Sequence, residues 1–202
     1  VVLSLVRTIN QTIPEQSPAL VLYDIFPYQL VDLDKASSAT LDFSKLTVAP
    51  LVRGRLVKVN GIALGQLENL DQEERREAIE DEYKLSYLAD NIDNLTLVAG
   101  RWWEDGPADF SESGSDRAKP LQMAMEDREA NELGVQVGDF VEFIIADQAL
   151  SAEVVAIYSQ KGLQTRFWFE GIFPQGALES YIHRYVGVLF GGDEGALPLH
   201  RE

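Results

Sequence analysis

The chain has no cysteine and only two histidines among its 202 residues. Without cysteine, neither a disulfide nor a thiolate metal site can form. A histidine-based zinc site would need His183 together with carboxylates from elsewhere, because no HExxH or comparable spacing is present. We therefore predict no metal site.

Basic residues are also scarce. The sequence has 17 Lys plus Arg against 33 Asp plus Glu, which gives a net charge of −16. Nucleic acids and anionic membrane surfaces are bound through basic patches, so this composition argues against both as direct partners. With 46% hydrophobic and 25% charged residues, the chain is typical of a globular protein that can bury a core.

A signal peptide and an apolar run of about 20 residues, the length that spans a bilayer, are both missing. The first residue is Val1. We expect the chain to be a domain excised or processed from a longer protein. If that protein is a membrane protein, its membrane segments have been removed.

Catalytic motifs are absent as well. There is no GxxxxGK[ST] phosphate loop and no GxGxxG. The Ser113-Gly-Ser115 triplet lies in an acidic loop, without the strand that precedes a serine-hydrolase elbow. Paired acids stay open, since any two of the 33 carboxylates could converge. We predict no catalytic residue, no cofactor and no enzymatic activity.

The central stretch, from Leu121 to Ser159, indicates a strand, a short helix and a β-hairpin. The helix is predicted from Glu126 to Leu133, because Gly134 tolerates the left-handed conformation at which a helix ends. Two strongly β-prone runs follow, joined by a turn at Asp147-Gln148. This pattern is typical of a scaffold.

The rest of the chain alternates strands and helices. Residues 1–13 predict an amphipathic helix, either packed on its own domain or forming a stalk, and residues 191–202 predict a flexible tail. Asn60-Gly61 is a strong hairpin turn, and the charged run from Asp71 to Glu82 is typical of a solvated helix or loop. Further predicted elements are strands at 19–26, 47–64, 83–88 and 94–100, a helix at 28–36 and a loop at 104–119.

Two aromatic groups are the best candidates for contact with a partner. Adjacent residues of an extended chain point to opposite faces, so one of Trp102 and Trp103 could lie in the core and the other at a surface. The second group is the run Phe167-Trp168-Phe169. Packing in the core is the commoner use of such side chains.

Three segments, with residues 52–61, carry a resemblance to a known family. They are Asn94-Leu-Thr-Leu-Val-Ala-Gly-Arg-Trp-Trp103, Leu133-Gly-Val-Gln-Val-Gly-Asp139 and Phe167-Trp-Phe-Glu-Gly-Ile-Phe-Pro-Gln-Gly-Ala-Leu178. In this order they resemble the extracytoplasmic domain of FtsX-like ABC transporter permeases. More narrowly, they are similar to the YbbP type, whose first large loop carries a MacB-like periplasmic core domain.

The resemblance implies an α+β fold in two parts. A porter-like α/β sandwich would use residues 19–90 and 163–190, and a mainly β subdomain, residues 94–160, would be inserted between them. The 1–13 helix would continue a membrane helix. In such permeases this domain is non-catalytic and transmits motion between membrane helices and extracytoplasmic substrates.

The resemblance also implies partners and a location. A cytoplasmic ATPase subunit would act through the full-length permease, which sits in the inner membrane through the removed flanking helices. This domain would be periplasmic and would meet an envelope lipid or protein. Two alternatives remain: a stand-alone soluble module that binds a ligand or protein, and a hydrolase with converging carboxylates.

Overall fold

The computed structural model describes residues 18–39, 46–88, 95–103, 120–160, 168–181 and 184–190. The expected helix at 1–13 and tail at 191–202 lie outside these residues. The chain forms two compact units. Unit 1 comprises Val1–Ala49, Lys161–Phe167 and Arg184–Glu202, and unit 2 comprises Pro50–Gln160 and Trp168–His183.

Strands dominate the described residues, and the helices are few and short, which confirms the α+β class. The strands are β1 (Pro18–Ile25), β2 (Thr47–Val59), β3 (Ile62–Ala63), β4 (Tyr83–Leu88), β5 (Leu95–Gly100), β6 (Leu121–Glu126), β7 (Phe140–Ile145), β8 (Gln148–Gln160), β9 (Gly171–Pro174) and β10 (Arg184–Phe190). The helices are α1 (Leu30–Ala39), α2 (Gln72–Glu80) and α3 (Asp127–Leu133), with 3-10 turns at Pro27–Gln29, Leu64–Gln66 and Glu179–Tyr181.

Unit 1 is built on the antiparallel pair of β1 and β10, in which Val21 lies opposite Val188. Gly187 of β10 faces the core of this unit. A Cβ atom at Gly187 would lie 2.9 Å from Ile25 and 3.1 Å from Leu46, both of which are buried. A side chain at Gly187 would therefore displace the ends of the Ile25 and Leu46 side chains from their packing against β10.

Unit 2 contains a closed ring of six strands in the order β2-β4-β9-β6-β8-β7, with β7 pairing back to β2. The β4–β9 and β6–β8 pairs are parallel, and the other four pairs are antiparallel. Outside the ring, β3 folds back on β2, and β5 pairs with the last part of β8. Ring closure removes the free strand edges that an open sheet would expose.

The interior of the ring is filled by side chains. A Cβ atom at Gly171 would lie 2.8 Å from Met123 and 2.9 Å from Leu85, and one at Gly54 would lie 3.1 Å from Leu85. The ring is therefore a packed core and not a channel. Other fully buried apolar side chains of this core are Phe143, Val154, Phe173 and Leu178.

Two hairpins join neighbouring strands through two-residue turns. Asn60 and Gly61 have φ values of 50° and 77°, as a type I′ turn requires, so the predicted Asn60-Gly61 turn is confirmed. The hairpin between β7 and β8 is also present, but its turn residues are Ala146 and Asp147, because Gln148 already pairs with Ile145. The turn predicted at Asp147-Gln148 is wrong by one residue.

Both helices of unit 2 begin at a carboxylate. The Asp71 side chain accepts the N–H groups of Glu73 and Glu74 at 2.8 and 2.9 Å, and the Glu74 carboxylate accepts the Asp71 N–H. This capping box starts α2. In α3 the cap is Glu126, which belongs to β6, so the predicted helix begins one residue too early. At its end, Gly134 has φ 70°, as expected.

The unit boundaries lie elsewhere than the resemblance implied. The sequence placed residues 19–90 and 163–190 in one part and residues 94–160 in the other. In the structure, unit 2 begins at Pro50 and takes in β2 from that residue, β4 and β9. The physical reason is strand pairing, since β7 pairs with β2, and β9 pairs with β4 and β6.

Gly100 and Gly61 form a matched pair for testing the close approach of β5 to β8. Their φ values are 75° and 77°, but a Cβ atom at Gly100 would lie 2.1 Å from the carbonyl oxygen of Val155, whereas nothing lies within 4 Å at Gly61. We expect Gly61→Ala to lower the free energy of unfolding by about 1 kcal/mol. We expect Gly100→Ala to lower it by roughly 3 kcal/mol or more, because a clash with backbone is added. Urea denaturation measures both, and equal losses would contradict the close approach.

Candidate functional site

The two adjacent tryptophans form one cluster within unit 2. The rings of Trp102 and Trp103 meet edge to face with centroids 5.5 Å apart, and Trp102 also packs 5.9 Å from the buried ring of Tyr158. Both tryptophans are half-buried. Each therefore has a packing role and retains some surface that a partner could contact.

The second aromatic group is split by burial. Trp168 is 36% exposed and lies under the guanidinium of Arg128, which is 5.2 Å from the ring centroid. Phe169 is 2% exposed, so it packs in the core and has no surface to offer to a partner. Phe167 lies outside the described residues. Of this run, Trp168 is the side chain that the structure places at the surface.

Three carboxylates that the sequence did not single out converge beside Trp168. Glu126 is 2% exposed, and the side chains of Glu129 and Glu170 are 12% and 10% exposed. They meet because β9 lies between β4 and β6. Glu126 ends β6, Glu129 lies in the first turn of α3, and Glu170 directly precedes β9. We call Glu126, Glu129 and Glu170 the carboxyl cluster.

The members of the carboxyl cluster have different partners. Glu126 accepts the backbone N–H groups of Arg128 and Glu129 at 2.9 and 3.3 Å. Glu170 accepts the backbone N–H of Lys84 at 2.6 Å and its ammonium at 3.1 Å. Glu129 faces the guanidinium of Arg128 at 3.6 Å. Burial of carboxylates is tolerated here because hydrogen bonds and cations replace part of the lost hydration.

A set of hydrogen bonds holds the segment 168–170 against β4, β6 and β8. The hydroxyl of Tyr158 and the amide of Gln160 both donate to the carbonyl oxygen of Phe169, at 2.7 and 2.6 Å. The Phe169 N–H donates to the Gln160 amide oxygen at 3.2 Å. The Glu170 N–H donates to the Lys84 carbonyl, and its own carbonyl accepts the Glu126 N–H, both at 3.0 Å. We call these bonds the anchor.

Burial governs the acid–base behaviour of the cluster. Desolvation raises the pKa of Glu129 to about 7, and the charges of Glu132 and Glu170 add to the effect. Burial also raises the pKa of Glu126, with a further contribution from its hydrogen bond to Asp127. The pKa values of Tyr83 and Tyr158 are raised mainly by burial, so both phenols stay protonated.

A raised carboxyl pKa is also a property of catalytic acids. In the described part of the chain, however, every buried side-chain nitrogen and oxygen has a hydrogen-bond partner. Within those same residues, no group of three or more His, Cys, Asp or Glu side chains is arranged to hold a metal ion. The buried polar atoms of the cluster are thus satisfied within the described residues: the Glu126 carboxylate caps α3, and the Glu170 carboxylate binds Lys84.

The fold and this site belong to a chain that is similar to part of an ABC transporter permease. The relative is the uncharacterized ABC transporter permease YbbP of Escherichia coli (strain K12), which is 28% identical over 172 residues. The match covers 84% of this chain and 18% of the permease. The resemblance expected from the sequence is thereby confirmed. No family model matches the chain.

One solved structure is similar over most of the chain. It is a domain assigned to a permease protein from Porphyromonas gingivalis, with 12% identity and a TM-score of 0.37, covering 90% of this chain and 71% of that one. At this TM-score the likeness does not establish the fold. None of the helices among the described residues has the length and apolar content needed to cross a membrane.

The raised pKa of Glu129 makes stability depend on pH. The pKa of Glu129 is about 7 in the folded state and has its ordinary value of 4.5 in the unfolded state. The folded state therefore binds the carboxyl proton more tightly than the unfolded state does. The contribution of protonated Glu129 to the free energy of unfolding is therefore fully present below pH 4.5 and is lost as pH rises from 4.5 to about 7. Above that range this contribution no longer changes with pH. At about 1.4 kcal/mol per pKa unit, the rise from 4.5 to about 7 corresponds to a contribution of about 3 to 4 kcal/mol.

Glu129→Gln imitates the protonated acid and tests this expectation. We expect the variant to be more stable than the natural chain at pH 7.5 and to lose the fall between pH 4.5 and 7, as measured by urea denaturation across pH. Glu68→Gln, at an exposed position, is the control and should keep the natural pH profile. A variant that retains the full fall would show that another group causes it.

Proposed function

We propose that this chain is a non-catalytic, extracytoplasmic domain of an ABC transporter permease. In this role it couples ATP-driven motion of membrane helices to the export or handling of an envelope substrate. The observation that carries the proposal is the match to YbbP over 84% of the chain. Because the chain spans only 18% of that permease, the membrane helices and the contact with an ATPase subunit belong to the rest of the protein.

The composition is compatible with this location. A chain without cysteine needs no protection from an oxidising compartment. A net charge of −16 keeps the domain soluble and disfavours direct binding to anionic lipid. The full-length permease would lie in the inner membrane with this domain on the periplasmic side, and a cytoplasmic ATPase subunit would be its energy source.

The six-strand ring suits a mechanical role. A closed, side-chain-filled barrel has no free edge along which it can shear open, so a force applied to one strand is shared by its neighbours. In this proposal unit 1 takes the porter-like part and unit 2 the inserted, mainly β part, with the junctions at the unit boundaries. Trp168 and the exposed portions of Trp102 and Trp103 are the proposed contacts with an envelope lipid or protein.

These 202 residues contain no cysteine, so an introduced cysteine is the one label site within this domain and tests its location. Glu73 is exposed on α2, so Glu73→Cys in the full-length protein provides a label site in this domain. We expect a membrane-impermeant maleimide to label it in cells whose outer membrane is permeable but whose inner membrane is intact. The parent protein without the substitution gives the background, and Ala152→Cys, at a 0% exposed position, should react only after unfolding.

Labelling of Glu73→Cys that requires lysis of the inner membrane would place the domain in the cytoplasm and overturn the proposal. Recovery of the full-length protein in the soluble fraction would instead favour the stand-alone binding module.

A further inference from the structure

The anchor lies where the chain returns to unit 2 from unit 1. Unit 2 contains the chain up to Gln160 and again from Trp168, and the residues between, Lys161–Phe167, belong to unit 1. Gln160 is therefore the last residue of unit 2 before this segment, and its side-chain amide bonds the N–H and the carbonyl of Phe169, the second residue of unit 2 after it. Hydrogen bonds between Gln160 and Phe169 therefore join the end of one stretch of unit 2 to the beginning of the next.

The carboxyl cluster is part of the same construction. Glu170 contributes to both, because its backbone belongs to the anchor and its carboxylate binds Lys84. The charge of Glu170 acts on Glu129. A change of charge on Glu129 therefore changes the electrostatic energy of Glu170, whose backbone hydrogen bonds hold residues 168–170 in place.

The charges around Glu129 come from every element packed on it. Two cations oppose the three carboxylates of the cluster, so full ionisation leaves an excess of negative charge in a buried place. The surrounding groups are Arg128, Glu132 and Asp127 on α3, Glu126 at the end of β6, Glu170 before β9, Lys84 and Tyr83 on β4 with Asp81 before it, and Tyr158 on β8.

We propose that the protonation state of Glu129 controls how tightly residues 168–170 are held, so that the return connection is firmly anchored when Glu129 is neutral and loosens when it ionises. A neutral Glu129 removes one negative charge from the cluster and leaves the Glu170 carboxylate bound to the Lys84 ammonium, 3.1 Å away. An ionised Glu129 repels Glu170 across a poorly hydrated gap. Opening of the anchor relieves that repulsion by admitting water.

The working range of this device follows from the acid–base properties of Glu129. Its pKa is raised from 4.5 to about 7, so the opening of the anchor becomes easier as pH rises between these values. If opening fully hydrates Glu129, the equilibrium constant for opening rises about tenfold per pH unit at most within the range. Partial hydration gives a smaller slope of the same sign.

Amide hydrogen exchange of the 202-residue chain, measured by NMR from pH 5 to 8 and corrected for intrinsic rates, tests the proposal. We expect the protection of the Phe169 and Glu170 amides to fall several-fold per pH unit up to pH 7 and then to level off. Their protection should lie below that of the Val154 amide, which is bonded to the Asp139 carbonyl at 2.8 Å, because the anchor opens while the barrel stays folded.

Three variants separate the effect of the charge on Glu129 from the effect of losing an anchor hydrogen bond. In Glu129→Gln we expect protection of the two anchor amides to be high and flat with pH, whereas the control Glu68→Gln keeps the natural slope. Tyr158→Phe removes one anchor bond without changing a carboxylate, so it should lower protection of both amides at every pH and keep the slope.

Three results would overturn the proposal. The first is a slope that persists in Glu129→Gln. The second is equal protection of Phe169, Glu170 and Val154, since the anchor would then open only with the whole barrel. The third is a result in Tyr158→Phe: protection of the Phe169 and Glu170 amides that equals that of the natural chain, or that does not change with pH. This result decides the matter if Glu129→Gln does not fold.

Discussion

Closure of the six-strand ring through β2 is the constraint on which the rest of unit 2 depends. From Val52 to Val59, β2 pairs with β4 on one side and with β7 on the other. Closure brings the strands so near that a side chain at Gly54 or Gly171 would have to displace neighbouring core side chains. The same ring order sets β9 between β4 and β6, which brings Lys84, Glu126 and Glu170 together.

Local features of the fold could be predicted from the sequence because local chemistry determines them. Asn60-Gly61 and Gly134 tolerate positive φ, and Asp71 can cap a helix, so the turn and the two helix boundaries follow from single residues. Ring closure could not be predicted in this way. Leu56 pairs with Phe143, far along the chain, and nothing in either strand alone specifies its partner. The unit boundaries depend on such pairs, so they were misplaced.

The candidate site shows the same division. Phe169 and Trp168 are adjacent and aromatic, yet one is core and the other is at the surface, because an extended chain alternates its faces. Glu126 and Glu129 stand in a charged run that is typical of a solvated helix. One signal was present in the sequence: Glu126 follows the apolar strand at Leu121 and precedes a helix, the position of an N-cap. Its convergence with Glu170 required the fold.

The position of β10 has a consequence for how the domain is made. Val21 of β1, the first described strand, pairs with Val188 of β10, the last. Closure of the ring likewise requires β9, because β9 pairs with both β4 and β6, which are synthesised earlier. During synthesis from the N-terminus, β1 therefore lacks its partner β10, and β4 and β6 lack their partner β9, until those late strands have emerged. Such high contact order predicts slow folding and a long exposure of unpaired strands to chaperones and proteases.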